Sequence, residues 1–219
     1  MIAAIAKPLG QLLFFLYNVL GNYGIAIIVF TLITKIILFP LTAHQLKTSR
    51  RMQELQPKIQ ELQKKYAKDK ETLNVKLMEL YKEEKYNPAS GCLPLIIQIP
   101  IIWGLFALLR DPQTYISNPA IIDAVKDSFL WVPNLSLPDP WILPILAGVT
   151  TYFSFNLSQT SMPQQQNASL KVMQYFFPVM IVWWGHSFPA GLTLYWFVST
   201  LLQLVQQKLT NVKKTVKEE

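Results

Sequence analysis

From residue 91 to residue 109 the chain runs through 19 residues without one charged side chain, and it comes close to repeating this four times. Residues 23–41 are another 19 with a single charge, Lys35. Residues 141–157 and 172–188 carry none, and 192–205 is a shorter uncharged run set off from the fourth by Pro189-Ala190-Gly191. About 20 helical residues cross the hydrocarbon of a bilayer, so these runs predict membrane spans. A Pro and a Gly within three residues predict a tight hairpin between the last two. Only 15% of the 219 residues are charged, against roughly 25% in an average soluble domain. Of the 33 charged side chains, 18 fall within 42–90. This distribution excludes disorder, a fibrous repeat and an ordinary soluble globule. It predicts an all-α polytopic membrane protein with five transmembrane helices and one charged insertion in water.

The first 22 residues are apolar but interrupted by Pro8 and Gly10. At roughly 100° per residue, Lys7, Gln11 and Asn18 fall within about 40° of one another, a narrow polar stripe on an apolar cylinder. This predicts an amphipathic helix lying in the interface plane; a sixth span is the other reading. Lys7 follows the first apolar residues instead of preceding them, which is not the pattern of a cleavable signal. The one cysteine, Cys92, permits no intrachain disulfide.

Lys and Arg set the orientation. Segment 42–90 holds eleven basic residues against seven acidic ones, and the tail carries Lys208, Lys213, Lys214 and Lys217. Segment 110–140 has only Arg110 and Lys126 against Asp111, Asp123, Asp127 and Asp139. The expected division is therefore an external interfacial helix (1–22), a first span (23–41), a cytoplasmic helical hairpin (42–90) and a second span (91–109). An external loop (110–140), a third span (141–158), a cytoplasmic loop (159–171), a fourth span (172–188), a fifth (192–205) and a basic cytoplasmic tail (206–219) follow. The N-terminus lies outside and the C-terminus inside. Within 42–90, Leu55, Ile59, Leu62 and Tyr66 and then Leu73, Leu77 and Leu80 form the single seams of two paired helices. Lys68-Asp69-Lys70 is the expected turn, and Pro57 is expected to kink or restart the first helix. The hairpin is longer than a link requires, so Arg50, Arg51, Lys58, Lys64 and Lys65 are candidate docking residues for a partner or anionic lipid.

Lys35 is the residue in the wrong place. It lies about 5 Å from the middle of its span at 1.5 Å per residue. A lysine near a span centre costs roughly 2.5–3.5 kcal/mol on insertion scales. No Asp or Glu lies in any of the five runs to neutralise it. Its side chain leans toward the helix N-terminus, away from the nearer cytoplasmic surface. A wet cavity is the expected surrounding, with Thr31 one turn earlier on the same face. Gln98, Thr150, Thr151, Ser154, Asn156, Gln174, Ser199, Thr200 and Gln203 are the polar groups of the other spans. Singly they read as interhelical hydrogen bonds; together they could line a chamber open to the cytoplasm. Pro94, Pro100, Pro144 and Pro178 would bend their helices and leave gaps.

No catalytic constellation, P-loop, CxxC or metal motif is present. The chain is not expected to be an enzyme or to hold a cofactor or metal, and nothing points to direct DNA binding.

The segments GIAIIVFTLITKIILFPLT (24–42), MQELQPKIQELQKKY (52–66), NPASGCLPLIIQIPIIWGLFALLRD (87–111), FLWVPNLSLPDPW (129–141) and FPAGLTLYWFVSTLLQLVQQ (188–207), in this order and spacing, resemble the bacterial YidC membrane protein insertase family. The resemblance implies a chaperone-like insertase in the cytoplasmic membrane. Its clients would be nascent membrane proteins, with the ribosome and the general translocon as further partners. It implies a hydrophilic groove, closed toward the outside, around a basic residue of the first core span. The family's residue is usually arginine, and Lys35 stands there. Lysine keeps the charge but lacks the planar fork that binds a carboxylate bidentately. The resemblance also makes spans three and five a slide for the client's hydrophobic segment and matches Tyr195 and Trp196 to an aromatic pair. The groove residues it suggests are Lys35, Thr31, Gln98, Gln174, Tyr195 and Trp196. A small channel or transporter subunit with Lys35 as an anion site is the alternative, and a scaffold that assembles complexes is a second. Flux through liposomes would separate the first, and client insertion by the purified chain the second.

Overall fold

The computed structural model describes residues 2–87, 93–116, 118, 120–159 and 168–215. The fold among them is helical. Ten helices follow in order: α1 (Ile2–Leu20), α2 (Tyr23–Ile37), α3 (Phe39–Lys65), α4 (Lys70–Glu83), α5 (Leu93–Arg110), α6 (Pro112–Tyr115), α7 (Ala120–Ala124), α8 (Ile142–Gln159), α9 (Ala168–Gly185) and α10 (Ala190–Thr215). Among the described residues there is no strand, only one isolated bridge between Phe129 and Val132.

α1 presents the expected stripe. Lys7, Gln11 and Asn18 are exposed, while Leu13 and Leu16 are buried where α1 packs on α2 and α5. α2 starts at an Asn22 cap, whose side chain accepts from the Ile25 amide at 3.1 Å, a standard way to satisfy a first-turn donor. α2 ends after 15 residues, and α3 begins one residue later with Pro40 in its first turn, where a missing N–H is tolerated. The apolar run 23–41 is thus shared between two helices. No helix among the described residues is long and apolar enough to cross a membrane.

α3 continues through Pro57 without ending, so that proline does not restart the helix. Pro57 itself is exposed. The turn falls at 66–68, and Asp69 caps α4 by accepting from the Thr72 amide at 3.1 Å. Leu55, Ile59 and Leu80 form a small core of their own between α3 and α4. The main core runs through α1, α2, α5, the 111–141 segment and the start of α10. α10 continues as one helix well past Val205, into the basic tail.

α10 is the shared element of the bundle, packed on α2 and α5 and also on α8. α8 and α9 form an antiparallel pair with constant register. Pro144 meets Gly185, Gly148 meets Val182, and Asn156 meets Gln174. Gly148 and Gly185 allow this approach, since a Cβ at either would collide with the partner helix.

Candidate functional site

Segment 111–141 caps three helix N-termini at one end of the molecule. Asp127 Oδ2 accepts from the Tyr23 amide of α2 at 3.1 Å, and Asn22 Nδ2 donates to the Ser128 carbonyl at 3.1 Å. Asp139 accepts from the Trp141 and Leu143 amides at the start of α8 and from Trp131 Nε1 at 2.8 Å. The carbonyls of Leu135 and Leu137 accept from Gly191 and Ala190 at the start of α10. First-turn amides have no partner inside their helix, so the loop satisfies donors that the helices leave open. Partial burial opposes ionisation of Asp139, but the hydrogen bonds from Trp131 and from the Leu143, Trp141 and Ile142 amides outweigh it. They hold its carboxyl below the ordinary value.

Below this cap the polar side chains turn inward. Thr31, Thr150, Thr151, Ser154, Thr193 and Ser199 are buried. Ile36 on α2 and Val179 and Trp183 on α9 are instead 71%, 66% and 76% exposed. Two packing contacts fix the register of α2 against α10. Ile27 lies against Gly191, and the Phe30 ring lies 6.3 Å from that of Tyr195. Both helices therefore run the same way, and continuing this register by one turn brings Lys35 to the level of Ser199. Lys35 is half-buried, and no hydrogen bond or ion pair to it is found among the described residues.

The other expected groove residues divide between the two faces of α10. On the α5 side, Gln98 Nε2 donates to Tyr195 Oη at 2.9 Å. On the α8 side, Trp196 Nε1 donates to Thr151 Oγ1 at 3.0 Å. One turn on, the Thr150 and Thr200 hydroxyls lie 2.8 Å apart. Gln174 is removed from these, reaching Asn156 across the α8–α9 pair at 3.5 Å. Thr31 is wholly buried and donates to its own helix, to the Ile27 carbonyl at 2.6 Å. Gln98 is thus brought to Tyr195, and Trp196 to α8. Lys35 shares a helix face with Thr31, and Gln174 stands apart.

Of the docking candidates, Lys58 is paired with Glu84 at 2.5 Å across the hairpin. This contact raises the Lys58 pKa and lowers that of Glu84 through the hydrogen bond and charge they share. Arg51, Lys64 and Lys65 are exposed, Lys65 beside the Tyr66 ring. The Arg50 side chain lies outside the described residues, as do Cys92 and most of the expected loop 159–171. No cluster of metal-ligating side chains occurs among the described residues. Sequence reasoning missed the capping roles of Asp127 and Asp139. The signal for Asp139 was present, an Asp just before an apolar helical run.

The described residues thus form a helical bundle with buried hydroxyls, large apolar side chains on its exterior and one half-buried lysine. The chain matches the family model described as 60Kd inner membrane protein over residues 15–218, and it belongs to that family. A Fusobacterium nucleatum protein named membrane protein insertase YidC is 44% identical over 204 residues, covering 91% of this chain and 93% of that one. A protein of the same name from Caldanaerobacter subterraneus is 43% identical over 219 residues, covering 99% of each. A crystal structure described as an active YidC insertase with its first transmembrane domain resolved superposes with a TM-score of 0.70 at 32% identity. It is matched over 92% of this chain and 45% of that one. The resemblance carried by the sequence motifs is therefore to the right family.

Proposed function

We propose that this chain is a membrane protein insertase of the bacterial cytoplasmic membrane. It lets short hydrophilic segments of client proteins cross, and their hydrophobic segments enter, through a positively charged groove open to the cytoplasm. α2, α5, α8, α9 and α10 are the five spans in this reading, with α1 in the outer interface. The α3–α4 hairpin and the end of α10 lie in the cytoplasm. The names and coverage of the relatives support it. The observation that carries it is the inversion of the bundle: hydroxyls inside, large apolar side chains outside, and Lys35 without an acidic partner among the described residues. Such a lysine is tolerated where water reaches it.

The shortness of α2 belongs to the same mechanism. Fifteen residues rise only about 22 Å, against a hydrocarbon thickness of roughly 30 Å. A short span thins the bilayer around it and shortens the path a polar segment must cross. Lys35, Thr31, Gln98, Gln174, Tyr195 and Trp196 are the proposed groove residues. An acidic client segment replaces part of the water on Lys35, and the pairing stays transient because lysine offers a point charge without the arginine fork. The seam of α8 and α10, held by Thr151–Trp196 and Thr150–Thr200, is the slide along which the hydrophobic segment leaves. Arg50, Arg51, Lys58, Lys64 and Lys65 mark the face offered to the ribosome or the general translocon.

The test is reconstitution of the purified chain alone in liposomes with a labelled single-span client. Protease-protected client above the level of empty liposomes is expected, without solute flux. Flux without insertion would identify a channel, and neither activity would leave a scaffold.

A further inference from the structure

A cavity of about 520 Å³ opens at the capped end of the molecule, within the range of small-ligand sites, roughly 300–1,000 Å³. Arg110, Lys126 and Asp111 supply its charges, and Phe106, Ile122 and Pro189 are among its apolar walls. Neither Arg110 nor Lys126 has an ion-pair partner among the described residues. Asp111 already accepts from Thr114 Oγ1 at 2.5 Å. The Arg110 guanidinium lies 5.7 Å from the Phe106 ring centroid, a cation–π contact that restrains its planar fork at the cavity wall. The three charged groups leave one excess positive charge.

The surface leading to this cavity is apolar in a particular line. Ile99, Trp103, Phe106 and Arg110 follow one another at intervals of 4, 3 and 4 residues along α5, which is one helical stripe. Ile99 and Trp103 are exposed. A cationic pocket at the top of an exposed apolar stripe has the outline of an amphiphile with an anionic head.

We propose that this cavity binds the phosphodiester headgroup of an anionic glycerophospholipid in the outer leaflet, with an acyl chain along the α5 stripe. The proposal rests on the orientation given above, with segment 111–141 outside. Arg110 matches a phosphate bidentately, and Lys126 adds a second charge from the far wall. A zwitterionic lipid would bring its own ammonium into a cavity that already holds two cations, so the anionic lipid is favoured. Arg110 ends α5, Lys126 follows α7 and Pro189 precedes α10. A bound headgroup therefore ties together three segments of the capped end.

Native mass spectrometry of the full chain in detergent tests this with phosphatidylglycerol, phosphatidylcholine and glycerol 1-phosphate as probes. One phosphatidylglycerol should be retained at least five-fold more tightly than phosphatidylcholine, and glycerol 1-phosphate should not be retained. The double variant R110Q/K126Q should lower phosphatidylglycerol retention at least five-fold, whereas K70Q/K82Q, with the same loss of charge on the hairpin, should not. If the double variant fails to fold, K126Q alone, at an exposed position, should still lower retention at least two-fold. Unchanged retention in these variants, equal retention of phosphatidylcholine, or equal binding of glycerol 1-phosphate would overturn the lipid site. Insertion measured on the same preparations separates the two proposals. A wild-type chain that retains phosphatidylglycerol but inserts nothing contradicts only the insertase reading.

Discussion

At the scale of single residues, Asp139 shows how a loop carboxylate secures a helix. It accepts from two amides at the start of α8 and from the Trp131 indole. Asp139→Asn should destabilise the fold by roughly 1 kcal/mol, the usual scale of a helix-capping side chain. Its folded carboxyl titrates below its ordinary value, so its stabilisation is complete above that value. The stabilisation is lost as pH falls through the depressed one. Thermal unfolding in detergent should therefore separate wild type from Asp139→Asn at neutral pH, and the gap should close below about pH 4. Inside the bundle the stakes are smaller. Tyr195→Phe removes the acceptor of Gln98 and should cost about 0.6 kcal/mol, the average for interhelical hydrogen bonds in membranes. A loss several times larger in the same unfolding measurement would mean that the pair anchors the whole α5–α10 contact. The unpaired position of Lys35, which is half-buried without a partner among the described residues, was legible from sequence, since no acid lies in its apolar run. The pairing of Gln98 with Tyr195 was not, because intervals along one helix do not reveal which helix stands opposite.

At the scale of elements, sequence periodicity gave the α3–α4 seam correctly, since Leu55, Ile59 and Leu80 meet as their spacing requires. Of the two expectations for Pro57, a restart is excluded because α3 runs through it; a proline inside a helix removes one hydrogen bond and need not end it. The hairpin core is separate from the main core. Replacing 50–84 by a short Gly/Ser linker should therefore leave membrane integration intact and reduce client insertion. Carbonate extraction and an insertion assay read the two effects independently, and unchanged insertion would make the hairpin a mere connection. The α8–α9 pair behaves differently. A Cβ at Gly148 meets Val182 and the Pro178 carbonyl, so Gly148→Val must part the helices. The cost should be about 1–3 kcal/mol, as for other overpacked sites, and the unfolding midpoint in detergent measures it.

At the scale of the whole molecule, the apolar runs carried the all-helical class, while the lengths of individual helices depended on local stops that hydropathy does not register. The run 23–41 looks like one span, but Pro40 opens a new helix and α2 keeps only 15 residues. Residues 110–140 were expected as an external loop, and apart from the Asp139 signal their hold on three helix starts emerged only once the helices were assembled. The proposed orientation predicts that single cysteines placed at Ser136 and Ser169 are labelled from opposite sides of the membrane; labelling from the same side would refute it. The central claim is that a charge held in a wet, thinned path draws acidic client segments across. Its most direct measurement is the insertion rate of two clients, one with an acidic external tail and one with a neutral tail. The assay uses liposomes or cells lacking other insertases and chains carrying Lys35, Lys35→Arg, Lys35→Ala or Lys35→Glu at matched protein levels. Arg should retain or raise insertion of the acidic client, whereas Ala and Glu should abolish most of it and affect the neutral client less. Insertion of the acidic client at the normal rate by Lys35→Ala would contradict the electrostatic mechanism.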